Sequence, residues 1–455
     1  MSYTGPSIGI DFGTTNSSVA IITEGELHLL SFPSLQGLTE SYRSVLYLEQ
    51  HRHTGRTQLK SFTGPLAIEH YLHAESPGRL IQSLKSYLPS RSLTGTEVFG
   101  RRYTLEELIA RILTDLRLAL ERHIGEPVCH ATVGRPVRFV SAETEEDDAF
   151  AVSRLEAAFK QAGFDSVSFE YEPIGAAYAY ESSLTHDELI LIGDFGGGTS
   201  DFSLLHVGPG VRARGRRGKD LLGNAGLGLA GDAFDARIVR KLVSPVLGSD
   251  SFERTFSHAA DRPAPIIPAV PAWIYANLER WHYLSFLKTR NVTEMLRAAK
   301  ARAEEPEKIA ALITLIEEDL GYQLHQAIQR LKVDLSHAEA AEFKFRDGSL
   351  DIIAQVQRSE FEGWIADDLA AIEATVDGLL ASTGIEAAKV DRVFLTGGTS
   401  FVPAVRRIFN ERFGEQRVVT GGEFTSVAKG LALRAAAYPR HLWRPGVPRL
   451  KPWPT

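Results

Sequence analysis

Residues 191–205, LIGDFGGGTSDFSLL, set three consecutive glycines between two apolar runs and bracket them with Asp194 and Asp201. The flanking segments, ELILIGDF and DFSLLHV, read as short buried strands, so the glycines form a β-hairpin turn rather than a strand-to-helix loop. That excludes the P-loop and the dinucleotide fingerprint, both of which open a helix. By itself a glycine turn of this kind is an ordinary tight turn.

Residues 8–22, IGIDFGTTNSSVAII, change that reading, because the same Asp-Phe-Gly recurs there between apolar strands. Asp11 aligns with Asp194, Phe12 with Phe195, Gly13 with Gly196 and Ser17 with Ser200, at a separation that suits two related domains. Two such hairpins facing each other would create an anion-binding concavity from their bare backbone N–H groups. Aspartates facing that anion need a cation between them, and Mg²⁺ held through water by Asp11 and Asp194 meets that need. A third glycine pair stands in RVFLTGGTSFVPAVRRIF, residues 392–409, where a strand runs into Gly397-Gly398 and then a helix with Pro403 in its first turn. Alone it is a strand-to-helix connection. Beside a nucleotide, two glycines would let a flat base lie against the backbone.

Composition bounds the rest. A chain of 455 residues suits two to four compact units. With 44% hydrophobic and 24% charged residues and no apolar run of membrane-spanning length, it reads as globular, soluble and unattached to membranes. The start, MSYTGPSIGIDFG, has no basic segment followed by an apolar core, so a cytoplasmic location is expected. The single cysteine, Cys129, excludes an intramolecular disulfide and reads as a buried strand residue. His51 and His53 read as part of a solvated loop. A net charge of −7 argues against a nucleic-acid partner. The basic run RARGRRGKD, residues 212–220, reads as a solvated hairpin tip, with an anion or partner site as the alternative. The acids of ETEEDD, residues 143–148, suit the first turn of the helix that follows.

The three glycine motifs in this order resemble the nucleotide-binding domain of the heat-shock protein 70 (DnaK-type) family, within the actin, hexokinase and sugar-kinase superfamily. YEPIGAAYAY, residues 171–180, looks like that family's segment joining two lobes. GLAGDAFDARIV, residues 228–239, looks like its loop-helix start, where Asp232 and Asp235 have the spacing of a helix N-terminal cap. In residues 303–336, in WHYLSFL and in a long insert between Asp235 and Ser336, the chain is similar to the family's YegD-like, truncated members.

The resemblance implies roles for particular residues. Asp11 and Asp194 would hold hydrated Mg²⁺. Gly13, Thr14, Thr15, Asn16, Gly196, Gly197, Gly198 and Thr199 would contact phosphates of ATP or ADP. Gly231, Lys332, Ser336, Gly397, Gly398, Thr399 and Phe401 would meet the rest of the nucleotide. Lys85, in RLIQSLKSYL, matches the catalytic lysine, whereas its own context reads as an amphipathic helix. Glu172 and Asp201 match carboxylates that orient water and metal, and Thr199 belongs to the same catalytic group. Slow ATP hydrolysis follows. Where the family places two arginines against adenine, this chain has Val333 and Phe401, so preference for ATP over GTP should be modest. The family's acidic-leucine linker and peptide-binding domain have no counterpart before the proline-rich end PRHLWRPGVPRLKPWPT.

The expected fold is therefore α/β: a two-lobed actin-like ATPase with ribonuclease-H-like lobes on mixed sheets, a nucleotide cleft between them and no peptide-binding domain. Residues 1–190 would form lobe I, with an added subdomain at 36–109. Residues 191–418 would form lobe II, with an enlarged subdomain at 230–358. Residues 419–440 would return to lobe I, and 441–455 would be a proline-rich tail. Within the enlarged subdomain, EKIAALITLIEEDL reads as a helix and EFKFRDGSLDIIAQV as two strands around an Asp-Gly turn. The leading function is an ATP-driven conformational switch of chaperone-like type with a protein partner or client. The alternatives are a sugar or carboxylate kinase of the same superfamily and an actin-like polymer.

Overall fold

The computed structural model describes residues 5–34, 37–53, 56–74, 76, 78–181, 184–214, 220–254, 267–280, 283–348, 350–420 and 426–437. Both Asp-Phe-Gly stretches close antiparallel hairpins, and each hairpin belongs to its own sheet. The first sheet contains β1 (Ser7–Phe12), β2 (Asn16–Thr23), β3 (Glu26–Leu29), β4 (His130–Arg135) and β5 (Ser166–Tyr171), ordered β5-β4-β1-β2-β3. A short strand, Tyr42–Arg43, pairs with β2 beside that path. The second contains β6 (Glu188–Phe195), β7 (Ser200–Val207), β8 (Leu221–Leu227), β9 (Arg392–Thr396) and β10 (Val418–Thr420), ordered β8-β7-β6-β9-β10. In each sheet the first three strands pair antiparallel and the last two add in parallel. The register repeats as well, with Phe12 opposite Ser17 and Phe195 opposite Ser200.

The helices follow the same order in both halves. In the first, α1 (Leu105–Ile124) precedes β4, α2 (Glu145–Gln161) links β4 to β5, and α3 (Glu172–Glu181) follows β5. In the second, α4 (Ala366–Thr383) precedes β9, α5 (Pro403–Phe413) links β9 to β10, and α6 (Ser426–Ala437) follows β10. Local sequence explains the boundaries. Thr104 and Thr144 cap α1 and α2 in reciprocal capping boxes with Glu107 and Asp147, and Gly125 ends α1 in the left-handed conformation. Four acids, Glu145 to Asp148, occupy the first turn of α2 as expected. Buried Leu105, Leu108, Ile109, Ile112, Leu116 and Leu120 line one face of α1 at helical spacing.

The last helix of each half covers the other half's sheet. Ala176 and Ala177 of α3 pack with Ile190, Ile192 and Leu205 of the second sheet. Ala428 and Ala432 of α6 pack with Ala20 of the first. The two helices cross backbone to backbone, since a Cβ on Gly430 would lie 1.6 Å from the Gly175 carbonyl oxygen.

Apart from the first residues of α4 and α5, these elements belong to one compact unit, Met1–Ala230, Ala371–Ser400 and Val405–Thr455; the other is Gly231–Ala370 with Phe401–Ala404. The second unit contains the expected helix, Pro306–Glu317, and the expected hairpin, Ala340–Asp347 with Leu350–Gln357. Phe234 and Phe361 meet edge to face in its core. No helix among the described residues is long and apolar enough to cross a membrane.

Several expectations need correction. Cys129 is half-buried and precedes β4 rather than lying in it. His51 lies on strand Val45–His53, 3.0 Å from Glu49, not in a loop, because that segment pairs with strand Arg56–Thr63. Asp232 is the second residue of helix Gly231–Ile238 rather than its cap, and the Asp235 carboxylate is engaged by Lys332 and Gln329. The connection after β7 starts with a helical turn, Pro209–Ala213, and Arg214 forks onto Asp220 at 2.8 Å. Residues 215–219 of the basic run, 255–266 of the insert and the 441–455 tail lie outside the described residues.

Candidate functional site

Asp11 and Asp194 occupy equivalent places, each one residue before the end of the strand that enters its hairpin. Asp201 stands opposite Asp194 in register, just past the glycine turn. The turn is closed by the Gly196 N–H donating to the Thr199 carbonyl at 2.9 Å. Gly198 approaches the first hairpin, where a Cβ would lie 3.8 Å from the Thr14 hydroxyl and 3.7 Å from that of Ser86. Asn16 accepts a hydrogen bond from Arg43 at 3.3 Å, and the Thr15 carbonyl accepts one from the Ser44 N–H at 2.9 Å.

Lys85 is not on an amphipathic helix. Strand Gly78–Gln82 ends at Ser83, whose φ of 55° is left-handed, and a single 3-10 turn, Leu84–Tyr87, follows. Leu84 and Leu88 anchor that turn in the apolar core of the first half. Lys85 Nζ then lies 2.6 Å from Glu172 Oε1, at the first residue of α3. Both are nearly inaccessible, 5% and 7% exposed.

The charges in this cluster do not balance. Asp11, Glu172, Asp194 and Asp201 supply four carboxylates, and Lys85 is the cation coupled to all of them. Burial, then Glu172, pushes Asp11 up to about 7, with Lys85 opposing. Burial and Glu172 also push Asp201 up to about 7, although the Thr199 hydroxyl and the Val137 N–H, 2.8 Å from Oδ1, favour its ionised form. Burial and its three acidic neighbours raise Asp194 well above the carboxylate range. For Lys85, burial is outweighed by Glu172 and Asp11, so it is held in the charged form. The Val137 contact has no counterpart in the sequence reading; nothing in GRPVRFV marks that amide as a partner of a residue 64 positions away.

The third glycine pair is brought to the same strand ends. Gly397 has φ +86°, and a Cβ there would lie 2.0 Å from the Phe195 carbonyl, so the loop after β9 lies directly on the end of β6. Thr399 and Ser400 are buried in the following 3-10 turn, Gly398–Phe401, and Phe401 at its end is half-buried. In the second unit, Lys332 Nζ lies 2.6 Å from Asp235 Oδ1 and 3.4 Å from the Gly231 carbonyl. Ser336 donates to the Lys332 carbonyl of its own helix at 2.9 Å, and Val333 is 53% exposed.

Two sheets of identical topology, with paired aspartate hairpins at equivalent strand ends, define a two-lobed actin-like ATPase fold. A family model described as Hsp70 protein matches residues 80–255 and 312–440, well over half of the chain, and the protein belongs to the Hsp70 family. The matched segments include Lys85, Glu172, Asp194, Asp201, Lys332, Gly397 and Gly398, and residues 256–311 fall between them. Membership supports an ATP-binding, chaperone-type function in general. Asp11 precedes the matched segments and is tied to the site by the internal repeat and by its coupling to Lys85.

Proposed function

We propose that the chain binds Mg²⁺–ATP at the cluster of Asp11, Lys85, Glu172, Asp194 and Asp201 and hydrolyses ATP slowly as a conformational switch read by a protein partner. The observation that carries this is the excess of four carboxylates, Glu172 and Asp201 buried and Asp11 and Asp194 half-buried, over the one buried ammonium of Lys85 beside the glycine turns. Such an excess is costly without a further cation. Among the described residues no three acidic or histidine side chains converge to ligate an ion directly, so these carboxylates would engage a divalent ion through its waters, and that ion would supply the missing positive charge beside the phosphates.

Asp11 and Asp194 would hold the ion through its waters. Gly13, Thr14, Thr15, Asn16, Gly196, Gly197, Gly198 and Thr199 would orient the phosphates through backbone N–H groups and side-chain polar groups. Lys85, fixed by Glu172, places positive charge where the transferring phosphoryl group needs it. Glu172 or Asp201 would take the proton from the attacking water, and no nucleophilic side chain is required. Gly397, Gly398 and Thr399 form the candidate nucleoside platform, with Phe401 beside them in sequence. Residues 303–336, WHYLSFL and the long insert between Asp235 and Ser336 support a place among the family's YegD-like members.

Calorimetry with Mg²⁺–ATP, and phosphate release without any second substrate, test the reading. Binding that needs the divalent ion and weakens in Asp11→Asn and Asp194→Asn is the expected result. Absence of Mg²⁺-dependent nucleotide binding in the wild-type protein would refute it.

A further inference from the structure

The turn that carries Lys85 is short. It is followed by irregular chain through Thr94, so its carbonyl groups need partners from elsewhere. A single side chain on α2 donates to four carbonyls of the turn and the chain after it, one of which, that of Tyr87, also accepts from the Ser90 N–H. Arg154 Nη1 donates to the carbonyls of Tyr87, Leu88 and Ser90 at 3.5, 3.4 and 3.0 Å, and Nη2 donates to that of Leu93 at 3.1 Å. Its Nε donates to Glu106 on α1, which fixes the plane of the guanidinium, and the ring of Phe150 lies 5.4 Å from Cζ. Arg154 is 6% exposed. A charged group so enclosed, directed at backbone oxygens of one loop, does more than pair with one carboxylate on a surface.

The segment it grips leads straight to the ammonium group. Leu88 donates its N–H to the Lys85 carbonyl at 3.2 Å, and Ser90 donates to Tyr87 at 3.0 Å. We propose that Arg154 is a positioning residue for Lys85, a buried clamp that fixes the height of the 3-10 turn and so the reach of Nζ toward Glu172. The inference rests on the hydrolytic reading of Lys85 for its consequence in catalysis, while the clamp itself rests on the hydrogen bonds alone. Lysine cannot replace it, because a point charge with three donors cannot reproduce a planar fork that meets four carbonyls and a carboxylate together.

The test compares Arg154→Lys with Arg117→Lys. Arg117 is an equally useful reference, since it bonds the Ala162 carbonyl at 2.7 Å and pairs with Glu121, away from the Lys85 turn. Arg154→Lys should lower kcat about 10- to 100-fold with nucleotide affinity within about threefold of wild type, because the loss lies in transition-state placement. It should also speed amide exchange over residues 84–90 and raise the labelling rate of Lys85 by an amine reagent. Arg117→Lys, matched for loss of thermal stability, should do neither. Equal losses of kcat in both variants, or unchanged exchange at 84–90 in Arg154→Lys, would overturn the proposal. If exchange and labelling respond but the wild-type protein hydrolyses no ATP, the clamp stands and the hydrolytic reading falls.

Discussion

Replacing Asp201 with asparagine should stabilise the ligand-free protein, and increasingly so as the pH rises. The Asp201 carboxyl is 1% exposed and pushed up from 3.8 to about 7, first by burial and then by Glu172. An acid raised in this way contributes stability that is fully present below its unfolded value near 3.8 and lost as pH climbs through about 7. From these two values the penalty carried by the wild-type aspartate is at most about 2 kcal/mol at pH 5 and about 4 kcal/mol at pH 8. Asparagine does not titrate, and its Oδ1 still accepts the Val137 N–H. Urea unfolding in chelator, followed by circular dichroism between pH 5 and 8, gives the difference directly. The same substitution should weaken stabilisation by Mg²⁺–ATP, so the two effects have opposite signs. A pH-independent difference, or an asparagine variant less stable than wild type at pH 8, would refute the charge-excess argument.

Lys85→Ala should remove nearly all hydrolysis yet leave Mg²⁺–ATP affinity close to wild type, as read by single-turnover phosphate release beside calorimetry. Phe401→Ala should weaken ATP and GTP alike, because base–aromatic stacking is worth about 1–3 kcal/mol and tolerates any base; a large loss of apo thermal stability with normal nucleotide affinity would make it a core residue instead. Gly430→Val, which forces side-chain atoms into the Gly175 backbone, should cost about 3 kcal/mol or more, visible as a lowered unfolding midpoint. Because Asp11, Asp194 and Asp201 are all raised, thermal stabilisation by Mg²⁺–nucleotide should grow from pH 5 to pH 8; a flat profile would contradict it.

The hairpins were legible because strand alternation, a bare turn and an internal repeat are all local patterns. Equating Ser17 with Ser200 anticipated the shared register opposite Phe12 and Phe195. Lys85 shows where local pattern ends. RLIQSLKSYL fits a helix by spacing, but pairing of Gly78–Gln82 with strand Val45–His53 claims its first half, and Ser83 turns the remainder into one 3-10 turn. The spacing of Asp232 and Asp235 suits a helix N-terminal cap, whereas the partners of Asp235 lie about a hundred residues away on another helix. The Val137 amide and the Arg154 carbonyl contacts are likewise long-range, and side-chain identity alone gives no sign of them. Residue type announced the chemistry of the cluster; chain topology decided which other groups would surround it.

The exchange of α3 and α6 between the two sheets has a consequence for how this chain can be divided. Each half ends by roofing its sibling, so cutting the polypeptide between α3 and β6 would separate every sheet from a helix that belongs to it by contact but not by sequence. The first unit is in this sense a covalent pseudo-dimer, two similar protomers embracing through swapped C-terminal arms, with the join in the chain replacing the concentration dependence of a true dimer. Neither protomer alone would bury its alanine-lined face. Two fragments supplied in trans should instead recover the fold only as a one-to-one pair, and each aspartate hairpin would then be contributed by a different molecule.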